Sequence, residues 1–406
     1  MFTIENIAGV DCIFAPMKPC NSITIHIFCK AGSYYETREI NGISHFIEHM
    51  FFKWGEKYQT PREVSLALDK IGADYNAYTS EEKVGYYVKC APNHREKAFD
   101  VLADMLVSPQ FNKVEMEKEK GVVIQELKMY EDEPRNVLEQ KWGKWFFGDN
   151  NYGWPVIGTE WNIQNFTQEM LFDYKNKLYT KDNLFIVVAG NILDRDGLKQ
   201  KIDQAFALLP ATKQIKKKAF TNYLPQEHKS FFEKGIEQTH LAITARGVTC
   251  LQKEKWAAKM LSIILGGNTS SLLYQKIREE LWLCYYIYSS HGAGINFGTF
   301  GVYAGIDKER LDFGLEKIYA ILDEVSKRKI DKQAFDDAKS FFDGAFQMGL
   351  ETSSDVASFL GNQFLYKKDI ETFEEVHQHL LAVTYEDVLS LASMLKRENL
   401  YLYYVK

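Results

Sequence analysis

Two histidines four residues apart with a glutamate between them, His45-Phe46-Ile47-Glu48-His49, constrain this chain more than any other stretch. If Ile43 to Phe52 is helical, a step of about 100° per residue gathers Ile43, Phe46, Ile47, Met50 and Phe51 on one face. His45, Glu48 and His49 then fall on the opposite face. Such a segment is a helix packed on one side and turned to a polar cleft on the other. Neutral imidazole nitrogens bind Zn²⁺ tetrahedrally, and a catalytic ion keeps three protein ligands and a water made acidic in the fourth position. Glu48 lies beside both ligands and could take that water's proton. The bland alternative is an amphipathic surface helix with incidental histidines.

The order H-x-x-E-H, rather than H-E-x-x-H, is the inverted zincin arrangement, and it requires a third ligand from elsewhere in the chain. The residues alone do not choose it. Glu115, Glu117, Glu119, Glu126, Glu131 and Glu133 crowd one stretch, which by itself reads as a solvated helix face.

With this motif the chain resembles the M16 family of zinc metallopeptidases, the pitrilysin, insulin-degrading enzyme and mitochondrial processing peptidase group. The resemblance implies a third metal ligand at Glu126, in Val122-Val123-Ile124-Gln125-Glu126-Leu127, and a supporting role without metal contact for Glu119. Seven residues span about two helical turns, or about 10 Å of rise, so the two glutamates share a face. The stretch Gly72-Ala73-Asp74-Tyr75-Asn76-Ala77-Tyr78-Thr79-Ser80 is similar to the family's substrate-binding strand edge, which makes Asn76 and Ala77 candidate peptide-binding residues. Without the family it reads as an ordinary hairpin. Gly266-Gly267-Asn268 leads on to Arg278 and, seven residues later, Tyr285, similar to an Arg/Tyr pair that reaches substrate in active relatives, at the metal site of the first half or of a partner subunit. The resemblance implies that Arg278 holds a peptide carbonyl and that the Tyr285 hydroxyl stabilises the oxyanion. Family members usually have glycine where Trp282 stands.

Composition excludes several other functions. A net charge of −6 over 406 residues offers no general attraction to nucleic acid or to an anionic membrane. No window reaches about 18 apolar residues, and the N-terminus lacks the pattern of a secretory signal. Six cysteines without a C-x-x-C pair read as reduced thiols of a cytoplasmic protein. Gly266-Gly267-Asn268 lacks the spacing and lysine of a phosphate-binding loop, and no G-x-S-x-G elbow occurs. His377-Gln378-His379 reads as a solvated helix face.

At 46% hydrophobic, the chain can bury the cores of two domains. Gly85-Tyr86-Tyr87 followed by a helical pattern is echoed by Gly301-Val302-Tyr303 at a separation of 216 residues, and Phe111-Asn112-Lys113 by Ile330-Asp331-Lys332 at 219. On these matches alone, generic similarity and true duplication stay open. The M16 resemblance, which implies two related halves of which only the first binds metal, favours duplication. Lys255 to Gly267, which should mirror the metal helix, has no histidine.

The expected fold is therefore α+β, with two homologous domains of mostly antiparallel sheet packed with helices. The expected domains are a metal-binding catalytic one over 1–212, a linker over 213–232 that includes Lys213, Lys216, Lys217 and Lys218, and a substrate-handling one over 233–406. The expected function is a zinc endopeptidase for unfolded peptides, with one Zn²⁺ on His45, His49 and Glu126 and Glu48 as general base. Two His and one carboxylate also accept other divalent ions. Larger relatives join four such domains in one polypeptide, so a chain with two is expected to pair as a homodimer or with a sibling subunit. The competing readings are a catalytically silent binding or processing partner, and a metal hydrolase acting on something other than peptides.

Overall fold

The strand-like runs Ser22 to Phe28 and Leu184 to Val188 form neighbouring strands of one sheet. The chain starts with β1 (Thr3–Ile7), β2 (Val10–Pro16) and β3 (Ile23–Cys29), then α1 (Ile43–Phe51) and α2 (Pro61–Asp69). A hairpin of β4 (Asp74–Thr79) and β5 (Val84–Cys90) leads into α3 (Arg95–Val107), α4 (Lys113–Asp132) and α5 (Pro134–Phe147). Next come α6 (Glu160–Asn165), α7 (Gln168–Leu178), β6 (Leu184–Gly190) and α8 (Arg195–Phe206). After the junction follow β7 (Lys229–Phe232), β8 (Gln238–Gly247), α9 (Lys255–Gly266), β9 (Cys284–Ala293) and β10 (Gly298–Asp307). The remaining elements are α10 (Leu311–Ser326), α11 (Lys332–Met348), α12 (Ser353–Tyr366), α13 (Phe373–Ala382), α14 (Tyr385–Leu391) and β11 (Tyr401–Val405). This computed structural model describes residues 2–211, 220 and 222–406.

The fold is α+β, as expected, and divides into two units. The six-stranded sheet of the first has the order β1-β2-β6-β3-β5-β4, and the five-stranded sheet of the second the order β7-β11-β8-β10-β9. Apart from the additional β1, the two orders are the same, each with one parallel pair, β2/β6 and β7/β11, and otherwise antiparallel neighbours. Even the register repeats. Ile27 pairs with Tyr86 and Thr24 with Ala189; 216 residues later Ile243 pairs with Val302 and His240 with Val405. The separation read from Gly85 and Gly301 is thus a structural repeat of three central strands. At that separation His45, Glu48 and His49 fall on Leu261, Ile264 and Leu265, all buried in the second core. An imidazole cluster is replaced by hydrocarbon, so the second unit does not repeat the metal site.

The two compact units are not contiguous in sequence, because each takes a helix from the other half of the chain. One comprises Met1–Met129, Asp149–Thr221 and Leu350–Ile370; the other Tyr130–Gly148, Asn222–Gly349 and Glu371–Lys406. Of the expected linker, residues 213–219 and 221, and with them Lys213, Lys216, Lys217 and Lys218, lie outside the described residues. Burial of both sheet faces explains the exchange. β3 and β6 are buried along their whole length, which requires a helical layer on each face. α3 lies against β5 and β3, and α12 against β6 and β3. In the α12 layer, Ala357, Leu360 and Phe364 meet Ile13, Phe28, Phe185 and Val187. In the second unit α5 does the same work, setting Val137 and Leu138 against Ala242, Tyr403 and Val405.

Among the described residues no helix is long and apolar enough to cross a membrane. None of the six cysteines is in a disulfide. His377 and His379 on α13 pair with Asp343 (2.5 Å) and Glu371 (2.8 Å), as a surface face would.

The α12 contact is close enough to exclude a methyl group. A Cβ added at Gly361 would lie 2.2 Å from the Phe28 ring, which cannot retreat because it is stacked on Phe185 at 4.9 Å and on His26 at 3.9 Å. We predict that Gly361→Ala, although it raises helix propensity, destabilises the chain by about 1–3 kcal/mol through overpacking. Thermal unfolding measures it; a variant that melts at or above the parent temperature refutes this account of how α12 is docked.

Candidate metal centre

The helix carrying the histidine motif begins at a constrained point. Gly42 takes φ 95°, and a Cβ there would lie 2.5 Å from the Ile157 carbonyl oxygen. Having no side chain, Gly42 cannot cap the helix, so another residue must satisfy its first N–H groups. Glu36 does this. Its carboxylate accepts from the backbone N–H of Gly42 (2.8 Å) and Ser44 (2.9 Å) and from the Asn41 carboxamide (3.0 Å). Glu36 is only 4% exposed; burial raises its pKa, and these hydrogen bonds work against the rise. The Ser44 hydroxyl, also buried, bonds to the Tyr174 hydroxyl (2.6 Å) and accepts from the N–H of Gly32 (3.1 Å). From that start Ile43, Phe46, Ile47, Met50 and Phe51 are all fully buried. The amphipathic pattern therefore aims His45, Glu48 and His49 away from the core.

The carboxylate of Glu126 on α4 faces both rings. Its oxygens lie 3.6 Å from His45 Nε2 and 3.3 Å from His49 Nε2. One ligand atom from each of the three residues falls within 4.8 Å of the others. Nitrogen and oxygen ligands about 2.0–2.1 Å from a tetrahedral ion stand about 3.4 Å apart, so the set fits a zinc-sized ion with donors of the right type. The neighbouring His45 and His49 rings draw the Glu126 carboxyl down to about 2, although burial opposes this.

Glu119, two turns earlier on α4, supports one ligand. It accepts from His49 Nδ1 at 2.8 Å and from Lys53 Nζ at 2.9 Å. A carboxylate on Nδ1 is the usual second partner of a metal-bound imidazole, because it keeps a proton on Nδ1 and reserves Nε2 for the metal. Burial works against a charged His49, but the bonds and charges of Glu119 and Glu126 outweigh it and raise the ring to about 9. Metal binding at His49 competes with a proton for the ring. His45 is supported differently: its Nδ1 is buried with no hydrogen-bond partner among the described residues.

Glu48 is half-buried beside these groups. The Thr79 hydroxyl donates to its Oε2 at 2.5 Å. Burial raises the Glu48 pKa, opposed by the Thr79 bond and the two imidazoles and helped by the charge of Glu126. A carboxylate pushed upward is a better proton acceptor near neutral pH.

Thr79 ends β4, the outer strand of its sheet, so the predicted peptide-binding stretch lies directly beside the motif helix. Asn76 is exposed, and its side-chain oxygen accepts from the backbone N–H of Ala77 at 2.9 Å. The carboxamide caps an N–H that antiparallel pairing leaves unused at the outer edge.

Arg278 and Tyr285 belong to the second unit, where the structure brings them together. Arg278 sits in a π-helical segment, Tyr274–Glu280, hydrogen-bonded to the Tyr274 hydroxyl. Its guanidinium lies 4.6 Å from the Tyr274 ring centroid and 5.9 Å from that of Tyr285. Tyr285 is the additional residue where the β9/β10 register shifts, and the bulge leaves it 74% exposed. Trp282 takes φ 52°, a left-handed conformation that glycine adopts without strain. This explains why glycine is usual there. Arg310 bonds to the carbonyls of Trp282 (2.8 Å) and Leu281 (3.1 Å) and holds the turn in place.

Sequence reasoning named all three groups of the His45, His49 and Glu126 cluster, together with Glu48 and Glu119. It missed Glu36, Ser44 and Lys53, and it quoted Thr79 without giving it a role. A glutamate shortly before a glycine-started helix was the one available signal for Glu36.

Comparison with known proteins bears on the family and the fold. Residues 15–160 match the family model described as insulinase (peptidase family M16), and residues 165–342 that of the peptidase M16 inactive domain. An uncharacterized zinc protease of Bacillus subtilis (strain 168), YmxG, is 34% identical over 98% of this chain and 96% of its own length. An uncharacterized zinc protease of Rickettsia felis is 29% identical over 95% of this chain and 92% of its own. The crystal structure of a protease from Helicobacter pylori shares the fold with a TM-score of 0.91 at 21% identity, covering 100% of this chain and 99% of that one.

Glu36 provides a test of the helix start. We predict that Glu36→Ala, which strands two backbone N–H groups and an amide, costs about 3 kcal/mol of stability, and that Glu36→Gln, which keeps one acceptor oxygen, costs less. Thermal unfolding of the two variants would show it, and an alanine variant as stable as the parent removes Glu36 from this role.

Proposed function

Because the chain belongs to peptidase family M16, we propose that it is a zinc endopeptidase acting on unfolded peptides or short precursors. The observation that carries this reading is the convergence of His45 Nε2, His49 Nε2 and the Glu126 carboxylate beside the half-buried Glu48. One Zn²⁺ per chain, held by His45, His49 and Glu126, would supply a Lewis acid for the peptide carbonyl and a lowered water pKa.

The remaining steps belong to the chain's own residues. Glu48, oriented through Oε2 by Thr79, takes the proton of the attacking water at Oε1 and returns it to the leaving amine. Glu119 holds the His49 ring in the tautomer that leaves Nε2 free to bind metal. The edge of β4 at Asn76 and Ala77 receives the substrate as an added strand, through backbone hydrogen bonds that ask little of side-chain identity. To Arg278 and Tyr285 we assign a peptide carbonyl and the developing oxyanion, respectively. The exposure of Tyr285 at its bulge supports this reading. Six cysteines without a disulfide favour a cytoplasmic setting.

Glu48→Gln should retain zinc and lose about 10²- to 10⁴-fold of its cleavage rate, as expected for lost general-base work. A quenched peptide substrate together with metal analysis reads both quantities. Undiminished turnover would falsify the assignment of the base. Two copies are proposed to pair, since larger relatives carry four such domains where this chain has two. A fully active monomer in light scattering at assay concentration rejects the pairing.

A further inference from the structure

One face of the second sheet is only partly covered. A helix is about 10 Å wide and strands lie about 4.8 Å apart, so a single helix hides about two strands of a sheet. α5 lies on β8 and β11, and beside it the same face of the outer strand β9 is partly exposed, with Tyr288 at 44%. Alternation along β9 turns Tyr286, Tyr288 and Ser290 to that face. With Tyr303, Trp142 and Arg135 they line a cavity of about 240 Å³.

The walls of this recess are held in place. The Tyr286 hydroxyl is hydrogen-bonded to His240 Nδ1 at 2.8 Å, and the Arg135 guanidinium lies 4.0 Å from the Tyr286 ring centroid. Tyr288 stacks on Tyr303 at 5.1 Å. Trp142 donates from Nε1 to Thr244 Oγ1 at 3.0 Å. The rings lie over glycines: a Cβ at Gly305 would lie 2.6 Å from the Tyr286 ring, and one at Gly301 2.7 Å from that of Tyr303. A second feature adjoins the recess. β9 is the outer strand of its sheet, so its outward N–H and C=O groups can pair with an extended chain.

We propose that the β9 edge and this recess together form a peptide-binding site, with the peptide backbone on β9 and one aromatic side chain in the recess. An apolar cavity of about 150 Å³ holds benzene, so this one accommodates a phenylalanine or tyrosine side chain. Ring faces on its walls suit an aromatic guest. Arg135 and Glu139, one helical turn apart on α5 and both lining the recess, balance in charge and offer no net attraction to a charged side chain. The site deepens the peptidase reading by adding a preference for substrates with an aromatic residue, and it rests on that reading only for calling the peptide a substrate.

Binding can be read without turnover, in the full chain carrying Glu48→Gln. The probes are two labelled threonine- and serine-rich peptides, one with a single central phenylalanine and one with alanine there, titrated by fluorescence anisotropy. The phenylalanine peptide should bind about tenfold more tightly. Ser290→Phe, which fills the recess from the exposed strand, and Tyr288→Ala, which removes a wall, should each reduce that ratio to about twofold or less, with thermal unfolding showing both variants folded. No binding, equal affinity for the two peptides, or an aromatic preference that survives Ser290→Phe overturns the proposal. So does a dimer that Ser290→Phe disrupts, because it would give the edge to a second copy of the chain. The cleavage reading fails separately, through the turnover of Glu48→Gln.

Discussion

A sheet buried on both faces cannot be stable with helices on one side only, and this requirement organises the whole chain. The central strands β3 and β6 are buried throughout, and their backbone polar groups are spent on neighbouring strands, so each face needs its own helical cover. The first unit takes α12 from far along the chain and the second takes α5 from the first half. The exchange also decides where polar chemistry can sit. Sheet faces are occupied near the centre, and the outer strands, β4 and β9 among them, and the helix faces beside them stay accessible. The histidine motif lies next to one such edge, and the tyrosine-lined recess next to the other.

Around α1 four glutamates with the same side chain have four different situations, set entirely by their partners. Glu36, buried against backbone N–H groups, fixes where the helix starts. Glu119, between His49 and Lys53, is neutralised and orients a ring. Glu126 faces two imidazoles and is held strongly acidic. Glu48, buried with one hydroxyl partner, is pushed the other way. A metal ligand benefits from a low proton affinity and a general base from a raised one, and the two carboxylates are separated in that sense.

Much of this was legible in the residues themselves. The spacing of His45, Glu48 and His49 carries its own helical geometry, so the split into packed and polar faces could be drawn before any contact was known. The 216-residue separation proved to be a register repeat in β3, β5 and β6 against β8, β10 and β11. Glu126 could not be singled out among its acidic neighbours by spacing alone, since every residue on that helix face looks alike until another helix packs against it.

Local sequence determined the amphipathic metal-type helix, the strand-like runs at Ser22 to Phe28 and Leu184 to Val188, and the lack of histidines in the second half's counterpart of that helix, because a pattern with period 3.6 or 2 needs no knowledge of distant residues. Only the tertiary structure decided which glutamate meets the histidines, that Glu36 and Thr79 serve the motif from other segments, that α5 and α12 change units, and that one helix leaves a recess beside β9. Each of these depends on groups tens to hundreds of residues apart coming within a few ångströms. Contacts of that kind follow from how faces are covered, and a linear pattern does not encode them.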